Sequence, residues 1–295
     1  MLFALGAIAL WSTLAWLGVL LGPVPPFLLV GCALGGAGLL ASPSWRRWRV
    51  APRVLALGIF GLFGFHFLLF VALRNAPPLQ ANLINYLWPL LIVLLAPAFL
   101  ADARLAWNHL LGAALGLAGA ALVIIGNGTR GATVAAPHAA LGYACAMLSA
   151  LVWASYSLGC RRLRERGTLF SNAAVGLFCL ASGALALICH VLFEPAYVWR
   201  SADVAPLIAL AVGPMGAAFF LWDAALARGD ARAIGTLAYL TPLLSTLLLA
   251  ASGRGYAGWS TGAALVLIVG GAWLGSRSRP APSASTSQAS SAIKS

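Results

Sequence analysis

The sequence predicts an all-α integral membrane protein, with ten transmembrane helices in two inverted five-helix repeats around a central cavity. Three observations lead to this fold class: the composition, the number of apolar stretches and a repeated motif. Of the 295 residues, 62% are hydrophobic and only 8% are charged, and the mean hydropathy is +0.94. A soluble domain cannot bury so much apolar surface, so the chain belongs in a bilayer.

Ten apolar stretches are long enough to cross the hydrocarbon core, which takes about 20 helical residues. They cover residues 2 to 21, 24 to 41, 54 to 73, 79 to 100, 107 to 126, 138 to 158, 169 to 193, 204 to 226, 232 to 250 and 259 to 275. The first repeat therefore covers residues 1–130 and the second covers residues 138–275. Because each repeat holds five spans, the two copies cross the membrane in opposite directions.

A short motif recurs at membrane depth, with each residue displaced by 153 positions: Tyr86, Leu87 and Pro89 return as Tyr239, Leu240 and Pro242. Inverted repeats are typical of secondary transporters, whose substrate site lies at the repeat interface near the bilayer midplane. A spanning helix that is interrupted by Gly or Pro often marks this site. The recurrence therefore points to spans 4 and 9 as the location of a binding site.

The charged residues predict the orientation of the chain. With the N-terminus in the cytoplasm, 14 of the 18 Lys and Arg residues fall on the inner side: Arg46, Arg47, Arg49, Arg53, Arg104, Arg161, Arg162, Arg164, Arg166, Arg228, Arg232, Arg277, Arg279 and Lys294. The outer side receives Arg74, Arg130, Arg200 and Arg254. This asymmetry places both termini in the cytoplasm. It also accounts for the net charge of +12 without a nucleic-acid partner.

The first span, the last residues and the cysteines lead to three further expectations. The first span has no preceding basic residue and no clear cleavage site, so we expect it to be retained. Residues 280–295 are mostly Pro, Ala and Ser with almost no apolar bulk, which predicts a disordered cytoplasmic tail. The five cysteines form no CxxC pair, which indicates neither a zinc site nor a disulfide framework. We expect no cofactor.

Span 4 carries a polar stripe. Asn82, Asn85, Tyr86 and Pro89 stand at i, i+3, i+4 and i+7, which places them on one helix face. Facing lipid would cost several kcal/mol, so the stripe should face protein or a water-filled cavity. Pro89 removes one backbone donor and frees the carbonyl of Asn85. The alternative is that the Asn side chains bond neighbouring helices and that the proline is a packing feature.

Four aromatic residues lie well inside the predicted spans: Tyr86, Trp88, Trp153 and Tyr239. Their rings offer stacking surfaces for an aromatic ligand or a cation–π contact for an ammonium group. The alternative for each of them is simple packing. Trp45, Trp107 and Trp259 instead lie at span ends, where amphipathic rings prefer the interface.

Two ionisable residues lie inside spans. His66 is slightly beyond the midplane of span 3, where its imidazole could bind a substrate carboxylate or respond to protons. Its alternative is a neutral histidine bonded to a carbonyl of another helix. Asp223 lies less than one turn from the inner end of span 8. It either forms a structural ion pair with Arg228 or Arg232, or binds a substrate ammonium at the cavity mouth.

These residues resemble the EamA-type drug/metabolite transporter superfamily over nearly the whole chain. The resemblance rests on ten spans in two halves, a Trp in spans 1 and 6 (Trp11 and Trp153), and a Pro in spans 4 and 9. The pentapeptide from Asn85 to Pro89 is similar to that of the aromatic amino acid exporters of bacterial inner membranes. The resemblance implies export of Phe, Tyr and Trp by alternating access, through a cavity lined by spans 1, 3, 4, 6, 8 and 9. Trp11 and Trp88 then belong to the substrate site, and Pro89 and Pro242 are predicted hinges.

Other functions remain open at this point. An exporter of another small amphipathic metabolite or of a cationic drug would share the fold. An integral membrane enzyme would need paired carboxylates or a His/Asp cluster, whereas the six acidic residues are scattered singly, so we predict no enzymatic activity. A channel would need a ring of charges or a filter loop, which the sequence lacks. The energy coupling stays open, and so does the choice between a monomer and a homodimer.

Overall fold

The computed structural model describes residues 1–76, 78–101, 103–128, 138–168, 170–253 and 259–276. Within these ranges all regular secondary structure is helical, which confirms the predicted all-α class. The predicted tail at 280–295 lies outside the described residues, as do Asp102, Arg130 and Arg254.

The first half of the chain forms eight α-helices among its described residues: α1 (Leu2–Ser12), α2 (Leu14–Leu20), α3 (Pro26–Leu40), α4 (Pro52–Ile59), α5 (Phe65–Asn75), α6 (Pro78–Asn85), α7 (Trp88–Phe99) and α8 (Trp107–Gly128). A 3-10 helix, Ser42–Arg47, lies between α3 and α4, and a single π-helical turn, Phe60–Gly64, joins α4 to α5. Pro26 and Pro52 each occupy the first turn of their helix, where the missing N–H has no intrahelical partner to lose.

The second half forms seven α-helices in its described part: α9 (Ala139–Glu165), α10 (Ala174–Phe193), α11 (Ser201–Val212), α12 (Ala218–Arg228), α13 (Ala231–Leu237), α14 (Leu240–Ala251) and α15 (Trp259–Ser276). A second π-helical turn, Gly213–Ala217, joins α11 to α12. It lies 153 residues after the first one, the same displacement as that of the Tyr-Leu-Pro motif.

Six helical stretches of the described chain are long and apolar enough to cross a membrane: Leu2–Leu20, Pro52–Asn75, Ala139–Glu165, Ala174–Phe193, Ser201–Arg228 and Ala231–Ala251. Four shorter apolar helices accompany them: Pro26–Leu40, Trp88–Phe99, Trp107–Leu122 and Thr261–Gly275. The protein is therefore a multi-pass helical membrane protein, as the composition predicted.

Two of the predicted spans contain a break near their middle. Residues 79–100 break at Tyr86 and Leu87, and residues 232–250 break at Ala238 and Tyr239. In both places a proline follows within four residues and cannot donate to the carbonyl one turn earlier. At each break a backbone N–H donates to the carbonyl oxygen three residues earlier, as in a 3-10 turn. Leu87 donates to Ile84 (3.0 Å), and Thr241 donates to Ala238 (3.0 Å).

Helix α9 is the centre of the bundle, because it packs against α5, α6, α7 and α12. Two further helix pairs, α3 with α10 and α8 with α15, approach closely at glycines. A Cβ atom added to Gly38 would lie 2.7 Å from the backbone nitrogen of Leu180, and one added to Gly112 would lie 2.6 Å from the carbonyl oxygen of Gly271. These pairs pack backbone against backbone, as small residues allow in membrane helices.

Arginine side chains join the helices at one end of the bundle, which we call the Arg164 end. Arg164 at the end of α9 forms an ion pair with Asp223 of α12 (2.7 Å). Arg161 donates to the carbonyl of Gly229, and Arg162 donates to the carbonyl of Ala98 at the end of α7 (2.9 Å). Helix α9 is therefore tied at this end to both α7 and α12.

At the opposite end, which we call the Glu194 end, one buried carboxylate joins three helices. Glu194 follows α10 and accepts from the backbone N–H groups of Phe27 (3.0 Å) and Leu28 (3.1 Å) at the start of α3. It also binds Arg74 of α5 (2.6 Å) and His190 of α10 (3.1 Å). The carboxylate thus accepts from free N–H donors at the α3 N-terminus and lies at the positive end of the dipole of that helix.

Candidate substrate site

Four tryptophans from four different helices meet in the middle of the bundle: Trp11 of α1, Trp88 of α7, Trp153 of α9 and Trp222 of α12. We call them the tryptophan cluster. All six pairs among them are in contact, with ring centroids between 5.1 Å (Trp11 to Trp222) and 6.3 Å. Each ring is buried, with at most 7% of the residue exposed. The cluster therefore forms a single aromatic body shared by four helices.

Further rings extend the tryptophan cluster along α5, α9 and α12. Trp153 contacts Phe65 (5.4 Å), Tyr156 (5.4 Å) and Phe219 (5.7 Å). His66 contacts Phe219 at 6.3 Å and so lies one ring away from the tryptophans. The predicted residues Trp11, Trp88, Trp153 and His66 are thus brought together.

Both π-helical turns place a backbone carbonyl where a ring of the site can bind it. The indole N–H of Trp11 donates to the carbonyl of Pro214, in the second turn (3.1 Å). His66 Nδ1 lies 2.6 Å from the carbonyl oxygen of Leu62, in the first turn. A π turn frees carbonyls from the regular helical ladder and is frequent at functional sites. Here the irregular backbone orients two side chains of the site.

The bond to Leu62 also fixes the tautomer of His66. A carbonyl oxygen only accepts, so Nδ1 must carry the proton, and the neutral ring then has an acceptor at Nε2. This partner lies in the same span, whereas the alternative weighed for His66 was a carbonyl of another helix. Neutral His66 is an acceptor for an ammonium group, and binding a carboxylate would need a second proton.

Asn85 is buried at the end of α6, immediately before the break. Its side-chain oxygen lies 3.1 Å from the hydroxyl of Ser149 on α9, which also reaches the carbonyl of Phe65 (3.2 Å). Asn85 thus has the interhelical bond expected of a structural residue. Asn82 and Tyr86 are half-buried on the same helix and its break. That these three residues contact substrate stays a prediction.

Tyr239 lies apart from the tryptophan cluster. It is fully buried in a separate apolar group with Ala120, Leu243, Ala264 and Ile268. A Cβ atom added to Gly116 of α8 would lie 2.4 Å from its ring. The structure thus packs Tyr239 against the α8 and α15 pair, so the repeated motif does not bring both tyrosines to one place. Its predicted contact with substrate rests on the sequence alone.

Asp223 is in an ion pair, as the structural alternative predicted, but the partner differs. Both carboxylate oxygens accept from Arg164 Nη2 (2.9 and 2.7 Å), and Oδ2 also accepts from the Asn172 side chain (2.8 Å). The predicted partners bind elsewhere: Arg228 donates to the carbonyl of Ala224, and Arg232 pairs with Asp230. Proximity in sequence suggested those two, whereas α9 brings Arg164 to α12 from 59 positions away.

Sequence reasoning missed Trp222, which is the most buried member of the tryptophan cluster at 1% exposed. Its position four residues before the predicted end of span 8 resembled that of an interfacial tryptophan. A usable signal was its neighbour Asp223, because an acidic residue inside a predicted span indicates that this part of the helix contacts protein. In the structure Asp223 binds Arg164 and Trp222 contacts Trp11, so both consecutive residues of α12 are turned into the bundle.

The side chains that meet at this site are suited to the recognition of a small molecule. Among the described residues no group of three His, Cys, Asp or Glu side chains lies close enough together to hold a metal ion. The site offers the aromatic faces and edges of the tryptophan cluster and the imidazole of His66. Directly after Trp222 it also has the Asp223 carboxylate, paired with the Arg164 guanidinium. Such a set can bind a small molecule that has both a ring and charged groups.

Comparison with known families identifies the class of protein. The profile of the EamA-like transporter family matches residues 1–125 and again residues 140–277. The chain belongs to the EamA-like transporter family.

Three curated relatives span nearly the whole chain. The "Aromatic amino acid exporter YddG" of Ancylobacter novellus is 44% identical over 274 residues, which cover 90% of this chain and 93% of the relative. The proteins of the same name from Salmonella typhimurium and Escherichia coli are 29% and 27% identical, and their matches cover 94% of this chain. A solved crystal structure superposes with a TM-score of 0.85 at 39% identity, over 93% of this chain and 96% of that one.

Proposed function

We propose that this protein exports aromatic amino acids across a bacterial inner membrane, by alternating access around the tryptophan cluster. One observation carries the proposal: four buried tryptophans from α1, α7, α9 and α12 meet inside a helical membrane bundle. Relatives that are named exporters of aromatic amino acids and that match over nearly the whole chain support the substrate class.

The proposal includes ten membrane spans in two inverted repeats, with both termini in the cytoplasm. Two family matches of similar length, residues 1–125 and 140–277, support the two repeats. The two π-helical turns at the same 153-residue displacement as the Tyr-Leu-Pro motif support the correspondence of spans 3 and 8. The breaks at Tyr86 and Tyr239 support that of spans 4 and 9.

Short helices reach membrane length when they continue across a break. The stretch from Pro78 to Phe99, which comprises α6, the break at Tyr86 and Leu87, and α7, would rise about 33 Å at 1.5 Å per residue. The orientation can be tested with a cysteine in place of exposed Ala51 at the Arg164 end, compared with one in place of Ser252 at the Glu194 end. A thiol reagent that cannot cross the membrane should label only Ser252→Cys in intact cells, and labelling of only Ala51→Cys would invert the proposed topology.

In this proposal the substrate ring enters between the tryptophans. The indoles are in contact with one another in this structure, so an incoming ring replaces their mutual contacts with its own. Each aromatic contact contributes about 0.5 to 1.5 kcal/mol beyond the burial of apolar area, so the exchange is nearly balanced. Such a balance suits a transporter, which must release its substrate as readily as it binds it.

The charged ends of the substrate need partners as well. Neutral His66 presents an acceptor at Nε2, which suits the ammonium group of an amino acid. The Arg164 and Asp223 pair lies immediately beyond Trp222 and offers one charge of each sign. We propose that a zwitterionic substrate interacts with these groups while its ring occupies the tryptophan cluster.

Movement between the two open states requires helices that bend. Pro89 and Pro242 lie directly after the breaks in α6–α7 and α13–α14, where the backbone ladder is already weakened. The two broken helices also meet there, because a Cβ atom added to Gly235 of α13 would lie 3.1 Å from the carbonyl oxygen of Pro89. We propose that the two breaks act as paired hinges.

Another substrate class fits the same site. Aromatic faces around a carboxylate also bind quaternary ammonium groups through cation–π contacts. The nearness of Asp223 to Trp222 favours this alternative, a cationic drug or metabolite.

Uptake into proteoliposomes tests the proposed function. Purified protein is reconstituted and offered labelled Phe, Tyr, Trp, Thr and a quaternary ammonium compound, with and without a pH gradient. We expect transport of the three aromatic amino acids, little transport of Thr, and none into liposomes without protein. Transport of only the quaternary ammonium compound would support the alternative, and equal transport of Thr and Phe would contradict an aromatic site.

A further inference from the structure

The loop between α3 and α4 carries a concentration of positive charge that the export mechanism does not use. Its arginines, Arg46, Arg47, Arg49 and Arg53, lie within eight positions and are all exposed. The loop belongs to the Arg164 end, because Arg53 donates to the hydroxyl of Thr168, shortly after α9 (2.9 Å). We call residues 42–53 the basic loop.

The carboxylates of the described chain are committed to other arginines. They form ion pairs as follows: Glu165 with Arg161, Glu194 with Arg74, Asp203 with Arg200, Asp223 with Arg164 and Asp230 with Arg232. The sixth acid, Asp102, lies outside the described residues, and the sequence has no Asp or Glu before it. At most one carboxylate of the chain is therefore left for the four guanidinium groups of the basic loop.

The basic loop has a fixed framework. Pro43 lies in the first turn of its 3-10 helix, and Pro52 begins α4. Trp48 packs on the start of α10, since a Cβ atom added to Gly176 would lie 2.9 Å from its indole ring. The arginines are therefore displayed from an ordered frame, so that binding an anion costs little loop entropy.

The basic loop also has an exposed aromatic member. Trp45 is 61% exposed, although it lies between two membrane helices, and the guanidinium of Arg46 lies 5.9 Å from its ring. Indole rings prefer the interface between lipid headgroups and acyl chains. A Trp among arginines matches a ligand with a charged head and an apolar body.

We infer that the basic loop is a binding site for anionic phospholipid headgroups, with Arg46, Arg47 and Arg49 contacting the phosphate and Trp45 lying against the upper acyl chains. Clusters of four or more basic residues next to a membrane helix attract anionic lipid, and each charge near the surface contributes about a fivefold gain in affinity. Because Trp48 and Arg53 join the loop to the start of α10 and to the α9–α10 connection, bound lipid would hold these elements together.

Native mass spectrometry of the detergent-solubilised protein tests this site with phosphatidylglycerol and phosphatidylcholine as probes. We expect phosphatidylglycerol to bind at least about tenfold more tightly. The variant Arg46→Gln/Arg47→Gln/Arg49→Gln should lose this preference. The matched control Arg104→Gln/Arg166→Gln, which removes two exposed arginines at the same end, should keep it.

Three outcomes would overturn the inference: equal binding of both lipids, a preference that survives in the triple variant, or an equal loss in the control. Glycerol 3-phosphate, which has the headgroup charge without acyl chains, should compete only weakly, and strong competition would instead indicate a site for soluble phosphates. If the triple variant does not fold, the parent protein decides the question. Its preference should weaken when the salt concentration rises from about 0.05 M to about 0.5 M, and a preference that salt does not change would contradict the site.

Discussion

The two ends of the bundle are held together by different sets of helices. At the Glu194 end, the carboxylate of Glu194 joins α3, α5 and α10. At the Arg164 end, α9 is tied to α7 and to α12, which are helices of the tryptophan cluster. We propose that the Arg164 end controls access to the cluster, whereas the Glu194 end holds the surrounding framework.

Substitution of Arg164 should have the largest effect on stability and on access to the bundle interior. Arg164→Gln leaves the buried Asp223 carboxylate with the Asn172 side chain as its remaining described partner, which should cost about 3 kcal/mol of stability. We also expect the Arg164 end to open, so that a thiol reagent labels buried Cys160, one turn earlier on α9. Mass spectrometry of the labelled protein measures this effect.

The control for this experiment is Arg166→Gln, an exposed arginine at the same end. The double variant Arg164→Gln/Asp223→Asn removes the unpaired charge and should recover much of the stability while Cys160 stays reactive. Unchanged protection of Cys160 in Arg164→Gln would show that the ion pair does not close this end.

Substitution of Glu194 should lower stability without changing the access of reagents to Cys160. Glu194→Gln keeps one acceptor for the α3 N-terminus but loses the charged bond to Arg74, which should cost about 1 to 2 kcal/mol. The melting temperature should fall, while the transport rate per folded molecule and the labelling of Cys160 stay at the parental level. A change in Cys160 labelling as large as that in Arg164→Gln would remove the distinction between the ends.

The prolines should have the smallest effect on stability, with the opposite sign. Pro89→Ala or Pro242→Ala restores a backbone donor and removes a ring clash, so each variant should be at least as stable as the parent. A stiffer helix should slow turnover more than it weakens substrate binding. Transport rate, affinity and melting temperature are measured together, and a destabilised variant that transports at the parental rate would make that proline a packing feature.

The sequence predicted the class of fold well, because composition and apolar length depend on the bilayer alone. It predicted that Trp11, Trp88, Trp153 and His66 would share a site, since depth within a span and the family resemblance both pointed inward. It did not predict that Asp223 pairs with Arg164 or that Trp222 belongs to the tryptophan cluster. Both depend on how α12 is rotated against α9. The π-helical turns were also missed, since one extra residue in a turn barely changes the hydrophobic pattern.

Tyr86 and Tyr239 occupy equivalent positions in the repeated motif but differ in their side-chain contacts. A proline stands three residues after each tyrosine, and the structure has a break in the helix at both positions. The side chains nevertheless have different surroundings, because Tyr239 packs against α8 and α15 while Tyr86 is only half-buried. A repeat preserves backbone geometry more faithfully than it preserves the contacts of each ring.

The most direct test of the account is the affinity for Phe in tryptophan variants of the purified protein. Trp88→Ala and Trp153→Ala should each weaken binding by about 1 kcal/mol or more, a severalfold effect, and His66→Ala should also reduce transport. Trp107→Ala, which removes an exposed ring at a helix end, should bind like the parent. Parental affinity in Trp88→Ala and Trp153→Ala would contradict the claim that substrate binds at the tryptophan cluster.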